Sequence, residues 1–594
     1  MTNQEIAKIL LETSALYEME GVEFKPRAYE KAALGVGSLS EEVKDIYEKG
    51  AIKALTEIPG VGRGIAEHVE KLLKTGHFKE YERLKKKIPV NISELTAVEG
   101  VGPKMVKILW QKVRIRNLAD LEKAALAGKI RKLEHFGEKS EQKILRGIEF
   151  LKKSGGRAIL GFVLPEIRVL ENMIKSFPET GQVMVCGSTR RMKETIGDID
   201  ILATSKKPEK VMTRFTALPQ IAHVYSKGST KTMVKLKSGL DADLRVVPDE
   251  SFGAAVNYFT GSKDHNIALR EIAIKKGWKL NEYGLFVGSR TSRGKSDFQK
   301  LIAGRTEEEL YRKLDLSYIE PEIRENTGEI ELARQNKLPK LIGYKDLKGD
   351  LQIQTNWTDG ADSIEAMAKA AMEAGLEYIA ITDHTRSLAM TGGADEKKLI
   401  RQMAEIEKIN SKFKIQNSKF RVLKGAEVNI GKDGSLDIDD KTLAKLDVVG
   451  AAIHSHFNLP RQEQTKRVIK AMESPHVDII FHLTTRVINK REPIDIDIDE
   501  IIKSAKRTGT ILEIDAYPDR LDIKDEYIRK CVRAGVKMSI DSDAHSVQHF
   551  KFLEIGTAQA RRGWAKRDDI INAHPLEKML RFLKGGKRGK IKAD

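Results

Sequence analysis

The chain reads Gly187-Ser188-Thr189-Arg190-Arg191, then Gly197-Asp198-Ile199-Asp200, and later Asp241-Ala242-Asp243-Leu244-Arg245. Alternate side chains of an extended strand share one face, so Asp198 and Asp200 point the same way while the isoleucine between them points into the sheet. A second strand supplies a further carboxylate, and the spacing alone fits either Asp241 or Asp243. Carboxylate oxygens are preferred ligands of Mg²⁺. The pattern therefore predicts a sheet that carries a divalent-metal site.

The Gly-Ser turn beside these carboxylates predicts phosphate binding. It ends the apolar run 183–186, and we expect a helix to begin near Arg190 and Arg191. Backbone N–H groups and guanidinium groups both suit the oxygens of a triphosphate. A lone Asp-x-Asp pair is more often a solvated strand face than a catalytic site. The ordered combination favours nucleotidyl transfer, in which two metal ions steady the reacting oxygens and the third carboxylate accepts the proton of a 3′-hydroxyl.

These motifs resemble those of the family X DNA polymerases, within the nucleotidyltransferase superfamily. The similarity rests on residues 186–191, 197–202 and 243–247 and on Tyr258-Phe259-Thr260-Gly261-Ser262, the sugar-contact motif. It implies a DNA-directed DNA polymerase that binds Mg²⁺ or Mn²⁺ through the catalytic carboxylates Asp198, Asp200 and Asp243. It also implies a template-strand contact at Arg270 and a nucleotide site made of Gly187, Ser188, Arg191, Tyr258, Phe259, Gly261 and Asn266.

Composition agrees with a protein that handles nucleic acid. The 594 residues include 104 Lys or Arg and 86 Asp or Glu, which gives a formal net charge of +18. Such an excess favours a polyanionic partner. Only Cys186 and Cys531 are present, too few for a disulfide framework. No secretory leader or run of about 20 apolar residues is seen, so we expect a cytoplasmic monomer that binds no membrane.

Two glycine-rich turns predict helix-hairpin-helix motifs in the first 150 residues. Residues 55–62 and 95–102 share the pattern Leu-Thr-x-x-x-Gly-Val-Gly, and apolar residues at helical spacing follow each copy. Backbone amides of such a turn, with the N-terminal end of the next helix, bind a phosphate without reading base sequence. We therefore expect DNA contacts at Gly60, Gly62, Gly100 and Gly102, and the polymerase resemblance adds Lys31.

The same resemblance places a lyase in the first domain of some family members. That reaction forms an imine and therefore needs a lysine of lowered pKa. At the matching position this chain has His68, which cannot form an imine, and this argues against lyase activity.

Beyond residue 345, short apolar runs alternate with helices, which predicts a (β/α) barrel. His, Asp and Glu residues follow successive strands, whose C-terminal ends meet at one rim. This half resembles PHP domains, distorted barrels that bind metal ions, hydrolyse phosphate esters and are associated in these polymerases with 3′→5′ exonuclease activity. The resemblance implies Zn²⁺ or Mn²⁺ at Asp359, His384, Glu427, His454, His482, Asp543 and His545.

The first PHP motif departs from the family pattern. The family has His-x-His after Asp-Leu, whereas the chain reads Asp350-Leu351-Gln352-Ile353-Gln354. A glutamine amide is a far poorer ligand for zinc or manganese than a neutral imidazole. We therefore expect a partial metal site and nuclease activity that is weak or lost.

The predicted fold class is multidomain α+β, with a helical helix-hairpin-helix region, a nucleotidyltransferase palm and thumb, and a distorted PHP barrel. The predicted function is the filling of short gaps in base excision repair, with gapped or nicked DNA and dNTPs as partners. One alternative is a polymerase whose barrel still degrades 3′ ends, and another is a DNA-binding scaffold with two decayed centres, which the intact carboxylates argue against. The predicted domains are lyase-like helical DNA-binding 1–88, fingers-like 89–150, palm 151–250, thumb-like 251–325, linker 326–344, PHP 345–575 and a basic tail 576–594.

Overall fold

The structure is a computed structural model that describes residues 1, 3–37, 39, 42–98, 100–134, 136–153, 156–290, 296–388, 391–415 and 419–583. Helices come first, sheets with flanking helices follow, and a run of parallel β/α units ends the fold, which confirms the predicted fold class. Within these residues, no helix is both long and apolar enough to cross a bilayer. Most of the predicted basic tail lies outside the described residues.

The N-terminal region is helical and has its own apolar core. The fourth helix shows how this core forms, because Ile65, Val69 and Leu72 recur at helical spacing and are buried on one face. The helices of this region are α1 (Asn3–Glu20), α2 (Lys25–Gly37), α3 (Val43–Thr56), α4 (Arg63–Thr75), α5 (Lys79–Lys87), α6 (Ile92–Thr96), α7 (Pro103–Val113), α8 (Leu118–Leu126) and α9 (Glu138–Lys153).

The palm is a mixed sheet with helices packed against it. Its elements are β1 (Ala158–Ile159), α10 (Leu160–Lys175), β2 (Val183–Val185), α11 (Gly187–Arg190), β3 (Thr195–Ile196), β4 (Asp198–Thr204), α12 (Pro208–Thr216), β5 (Ile221–Lys227), β6 (Lys231–Leu236) and β7 (Asp241–Val247). The main sheet has the order β2-β4-β7-β6-β5, and β4 runs parallel to β7. Along β7, Ala242 and Leu244 face the core while Asp241 and Asp243 face away from it.

A small antiparallel sheet and four helices form the thumb-like region. Its elements are α13 (Phe252–Thr260), α14 (Lys263–Lys275), β8 (Trp278–Asn281), β9 (Gly284–Arg290), β10 (Ser296–Ala303), α15 (Glu307–Lys313) and α16 (Glu329–Arg334). The last helix lies inside 326–344, the predicted linker. This segment is packed at several points, since Ile330 and Ala333 are buried and the N–H of Ile342 donates to the carbonyl of Ala565, 3.0 Å away.

The C-terminal half is a barrel of parallel strands in sequence order. Its elements are β11 (Gly349–Asp350), α17 (Ile364–Glu373), β12 (Tyr378–Ile381), α18 (Glu396–Ile415), β13 (Arg421–Asn429), α19 (Asp440–Leu443), β14 (Val448–Ala452), α20 (Arg461–Glu473), β15 (Ile479–Ile480), α21 (Ile498–Thr508), β16 (Ile511–Asp515), α22 (Asp525–Ala534), β17 (Met538–Asp541), α23 (Leu553–Arg562) and α24 (Leu576–Met579). A parallel bridge between Ile353 and Ala544 joins the segments after β11 and β17, so the barrel is nearly closed.

A buried ion network, which we call the Glu307 network, joins the palm to the thumb-like region. Arg190 donates from Nη1 and Nη2 to the two carboxylate oxygens of Glu307, at 3.0 and 2.6 Å. Arg324 has no exposed surface and donates from Nη1 to Glu307 Oε1 at 2.5 Å. Burial opposes ionisation of Glu307, but the two guanidinium groups outweigh it and lower its pKa to about 2.

We expect Glu307→Gln to lower the free energy of unfolding by about 3–5 kcal/mol, because two buried guanidinium groups lose their counter-charge. The folded-state pKa lies below the ordinary value of 4.5, so this stabilisation is complete above that value and is lost as the pH falls toward 2. Guanidinium unfolding near neutral pH and at about pH 3 measures both effects. Glu308→Gln, exposed on the same helix, should behave like wild type, and equal stability of Glu307→Gln and wild type at neutral pH would contradict the expectation.

Candidate active sites

The palm strands bring the predicted carboxylates to adjacent positions. In the parallel register of β4 and β7, Asp198 pairs with Asp241 and Asp200 pairs with Asp243. Burial and the nearby carboxylates of Asp198 and Asp243 raise the pKa of Asp200 to about 6. The strand register therefore places Asp198 and Asp243 close enough to Asp200 for their charges to act on it.

Asp241 is held by other partners. Its Oδ1 accepts hydrogen bonds from the Tyr225 hydroxyl and from Lys235 Nζ, both at 3.1 Å. Asp243 has a looser ion pair, with Lys231 Nζ 3.6 Å from its Oδ2. The geometry therefore distinguishes two carboxylates that spacing alone left equivalent.

The palm carboxylates do not form a tight ligand cluster. Within the described residues, the sets of three potential ligands whose atoms lie within 4.8 Å of one another are both in the barrel. Like charges repel, so grouping of the palm oxygens requires a cation and side-chain rotation. The backbone register permits this, because β4 and β7 are hydrogen-bonded neighbours.

Gly187 is required by the position of Asp200. Its φ of +63° lies in the left-handed region, and a Cβ placed on it would lie 2.5 Å from Asp200 Oδ2. The helix α11 begins at this glycine, three residues earlier than the sequence suggests. The turn therefore brings backbone amides directly beside a predicted catalytic carboxylate.

A cavity of about 330 Å³ lies beside Asp200 between the palm and the thumb-like region. The walls contain every residue of the predicted nucleotide site. They also contain Arg270, the predicted template contact, and two residues that the sequence did not single out, Thr260 and Lys263. The full lining is Gly187, Ser188, Arg191, Asp200, Tyr258, Phe259, Thr260, Gly261, Lys263, Asn266 and Arg270.

Hydrogen bonds fix the orientation of several cavity residues. Asn266 Nδ2 donates to the Tyr258 carbonyl at 2.7 Å, and the rings of Tyr258 and Phe259 meet edge to face with centroids 5.1 Å apart. Arg191 donates from Nε to Glu325 Oε1 at 3.2 Å and from Nη1 to the Thr260 carbonyl. The cavity therefore has a preorganised aromatic wall and an anchored arginine.

Arg190 does not take part in this cavity. The sequence suggested that both arginines of the turn could bind phosphate, but the Glu307 network and the Thr260 hydroxyl occupy the Arg190 guanidinium. Arg190 therefore does not have the expected phosphate-binding role, because Glu307 and Thr260 hold its guanidinium, whereas Arg191 lines the cavity.

The predicted hairpin glycines lie at turns that precede helices. Gly60 and Gly100 have φ of +77° and +80°, and Gly62 and Gly102 are the N-terminal caps of α4 and α7. Glycine has no side chain to cap either helix, so the amides of Arg63 and Gly64 in α4 and of Lys104 in α7, which begins with Pro103, suit a phosphate.

His68 of α4 is part of an aromatic cluster. Its Nδ1 lies 2.7 Å from the Tyr29 hydroxyl, and its ring stacks on Phe78 with centroids 4.4 Å apart. Burial lowers the pKa of His68. These contacts give the histidine a packing role in the helical region.

Glu427 is the centre of the barrel site. Its Oε1 lies 3.1 Å from His454 Nε2 and 2.8 Å from His482 Nε2, and its Oε2 lies 3.3 Å from His384 Nδ1. Burial opposes ionisation, but these imidazoles outweigh it and hold the pKa of Glu427 well below its ordinary value. The two ligand sets within 4.8 Å are Asp359, His384 and His545, and His384, Glu427 and His454.

The two glutamines of the first PHP motif lie inside this site. Gln354 Nε2 donates to Glu427 Oε2 at 2.7 Å, so the amide presents N–H groups toward the central carboxylate. Both polar atoms of the Gln352 amide are buried and have no hydrogen-bond partner among the described residues. The position of the expected His-x-His pair is thus filled by amides, which are poorer ligands for zinc or manganese than imidazoles.

Asp543 lies on the side of the site that contains Gln352 and Gln354, because a parallel bridge joins Ile353 to Ala544. It is 3.8 Å from His545 Nδ1 and 3.6 Å from Arg520 Nε, which also lies 3.7 Å from Asp515 Oδ2. The sequence interpretation missed Asp515 and Arg520. Their position at and just after the end of β16 was the available signal, because functional residues gather at the C-terminal ends of barrel strands.

The helical region covers the mouth of the barrel. A cleft of about 1200 Å³ is lined by Lys31, Lys104 and Lys143 from this region and by Asp359 and His545, among others, from the barrel. Lys31 Nζ donates to the carbonyl of Gly360 at 3.3 Å. The predicted DNA contact Lys31 therefore lies against the barrel.

Comparison with family models assigns each part of this architecture. The chain matches the helix-hairpin-helix domain over residues 1–78, the SAM-like helix-hairpin-helix tandem over 92–149, the DNA polymerase beta palm over 166–253, the DNA polymerase beta thumb over 255–325 and the PHP domain over 350–562. The fold and the palm site thus define a nucleotidyltransferase, a DNA-directed DNA polymerase with a PHP domain.

Similarity to known proteins then gives the family. The chain is 35% identical over 579 residues to the DNA polymerase/3′-5′ exonuclease PolX of Bacillus subtilis, covering 97% of this chain and 98% of that protein. It is 25% identical over 349 residues to DNA polymerase lambda of Rattus norvegicus, covering 54% and 56% of the two chains. A probable phosphatase of Acetivibrio thermocellus is 30% identical over 191 residues, covering 31% of this chain and 73% of that protein. The chain belongs to the family X DNA polymerases with a C-terminal PHP domain, whose substrates are DNA and dNTPs and whose chemistry uses a divalent metal.

We expect Gly187→Ala to reduce primer extension at least about 100-fold, because the new methyl group displaces the Asp200 carboxylate. Primer extension measures the loss, and circular dichroism checks that the fold persists. Gly239→Ala is the matched control, since Gly239 has φ of +93° but a Cβ there would meet nothing within 4 Å. Equal loss of extension in both variants would show that backbone strain, rather than the clash with Asp200, is responsible.

Proposed function

We propose that this polymerase fills short gaps in DNA during repair, with Asp198, Asp200 and Asp243 as the catalytic carboxylates. The observation that carries the proposal is the cavity beside Asp200, whose walls combine a Gly-Ser turn, an anchored arginine and an aromatic pair. The two helix-hairpin-helix turns support a gapped or nicked substrate, because they offer backbone amides to phosphates without base contacts.

The palm residues fit a site for Mg²⁺ or Mn²⁺. Hard oxygen ligands suit these ions, and bound cations would relieve the carboxylate repulsion that, after burial, raises the pKa of Asp200. When bound, they would neutralise charge on the transferred phosphoryl group and steady the attacking and leaving oxygens. Asp198 and Asp200 would hold them, and Asp243 would accept the proton of the attacking 3′-hydroxyl.

The other cavity residues would align the nucleotide. Ser188 and Arg191 would bind the triphosphate, Tyr258 and Phe259 would pack against the sugar, and Asn266 would face the minor groove of the new base pair. Asn266 has one amide oxygen that is buried without a hydrogen-bond partner among the described residues, which suits a group supplied by a substrate. Such preorganisation contributes to the rate by holding the reactants in line.

We expect Asp200→Ala to abolish extension of a primer across a one-nucleotide gap, with a loss of at least about 100-fold. Asp241→Ala is the matched control, since Asp241 lies on the same face of the neighbouring strand but is bound to Lys235 and Tyr225. Extension with wild-type and variant proteins in Mg²⁺ measures the effect. Retained extension in Asp200→Ala, or equal loss in both variants, would refute the carboxylate assignment.

We propose that the barrel retains a reduced metal site for Zn²⁺ or Mn²⁺ and that its exonuclease activity is weak or lost. The remaining imidazole and carboxylate ligands fit such ions, and buried Asp359 Oδ1 has no hydrogen-bond partner among the described residues. The subsite toward Gln352 and Gln354 fits these ions less well, because amides replace both imidazoles. Burial and the nearby Arg520 lower the pKa of His482 to about 3, which keeps its ring in the neutral form that binds metals.

A second candidate is a bifunctional enzyme whose barrel still trims 3′ ends. It is favoured by the two intact ligand sets, which share His384, and by the 3′-5′ exonuclease in the name of the Bacillus subtilis relative. Primer degradation without nucleotides, by a protein carrying Asp200→Ala, separates this candidate from a polymerase with an inactive barrel.

We expect Gln352→His with Gln354→His to raise the metal content of the full-length protein by about one ion and to increase primer degradation, because two imidazoles restore the missing ligands. Metal content is measured by mass spectrometry after dialysis against Zn²⁺ or Mn²⁺. The control Gln352→Asn with Gln354→Asn keeps the amides and should gain neither. Strong degradation by the wild-type barrel, unchanged in the double histidine variant, would overturn the proposal of a weakened site.

A further inference from the structure

Arg562, the last residue of α23, reaches from the barrel into the polymerase core. Its Nη1 lies 3.0 Å from the Arg191 carbonyl and 3.2 Å from Glu325 Oε1, and it donates to both. Its Nη2 donates to Asp525 Oδ2 at 2.6 Å, and only 3% of the side chain is exposed. A buried guanidinium with several fixed partners holds those partners in place.

Glu325 connects this arginine to the nucleotide cavity. Its Oε1 accepts from Arg191 Nε at 3.2 Å and from Arg562 Nη1 at the same distance, and Lys193 Nζ lies 3.6 Å away. Arg191 Nη1 is bound to the Thr260 carbonyl. Among the described residues, Arg191 Nη2 has no hydrogen-bond partner, so this nitrogen remains for a ligand in the cavity.

The ion pairs around Glu325 contain one more cation than carboxylate groups. Three cations, Arg191, Lys193 and Arg562, face two carboxylates, Glu325 and Asp525. Without Arg562, Glu325 would be neutralised mainly by Arg191 and would hold its guanidinium more strongly. A triphosphate would then compete with this carboxylate for Arg191.

We infer that Arg562 of the barrel is a positioning residue for the polymerase reaction, because it neutralises Glu325 and so keeps the Arg191 guanidinium available to the incoming triphosphate. The inference rests on the proposed role of Arg191. It gives the barrel a part in nucleotide binding that is independent of any metal the barrel holds.

Steady-state kinetics of the full-length protein on gapped DNA test this inference. Arg562→Met should raise the KM for the dNTP about tenfold and change kcat less than about twofold, since an interaction with the bound nucleotide is weakened. Arg562→Lys keeps the charge but not the full set of hydrogen bonds, and an intermediate KM is expected. If Arg562→Met fails to fold, the KM of Arg562→Lys tests the inference.

Arg561→Met is the matched control for a loosened interface. Arg561 is the neighbouring buried arginine and donates to Glu322 Oε1 at 2.7 Å and to the Ile342 carbonyl at 2.8 Å, with no bond to Arg191. It should leave the KM within about twofold of wild type. An equal rise in KM for Arg561→Met and Arg562→Met would overturn the inference.

A double-mutant cycle tests the route through Glu325. In a Glu325→Gln background there is no carboxylate to neutralise, so Arg562→Met should raise the KM less than about twofold. The same tenfold rise in both backgrounds would overturn the inference. Arg191→Met distinguishes the proposed role of Arg191 from that of Arg562. An unchanged KM in Arg191→Met would refute the triphosphate role of Arg191. A raised KM in Arg191→Met together with an unchanged KM in Arg562→Met would refute only the positioning role of Arg562.

Discussion

The buried guanidinium groups of Arg190 and Arg324 share the carboxylate of Glu307 and fix the palm against the thumb-like region. Arg190 comes from the turn that carries Gly187 and Ser188, whereas Glu307 and Arg324 come from the thumb-like region. Because an unpaired charge in this position would be strongly unfavourable, the turn and the thumb-like region are constrained together. The cavity between them, and the aromatic pair that forms its wall, depend on this constraint.

Much of the fold could be predicted because the decisive signals are local. Strand β12 (Tyr378–Ile381) is one of the short apolar runs that indicated a barrel, and the alternation of Asp and apolar residues correctly indicated the exposed and buried faces of β4 and β7. Strand β11 was missed because its two residues give no periodicity. The segment 326–344 looks polar in sequence, yet it packs through a few isolated apolar residues, a pattern that local composition does not reveal.

Site residues could be predicted where a short sequence motif determines their positions. They could not be predicted where contacts between residues far apart in sequence determine the side-chain orientation. The nucleotide residues lie around one cavity because a short turn and two consecutive helices, α13 and α14, present them. The separation of Arg190 from Arg191 depends on Glu307, more than a hundred residues away, and spacing could not show it. The same holds for Asp241, whose partner Lys235 comes from a neighbouring antiparallel strand.

The packed segment 326–344 also limits how the two halves of the enzyme could cooperate. It is packed against the barrel through Ile342 and against the thumb-like region through Ile330, so it is a rigid connection and not a flexible linker. A rigid connection prevents the palm cavity and the barrel site from moving toward each other. A DNA end bound in the palm cavity would therefore have to leave it before it could reach the barrel site.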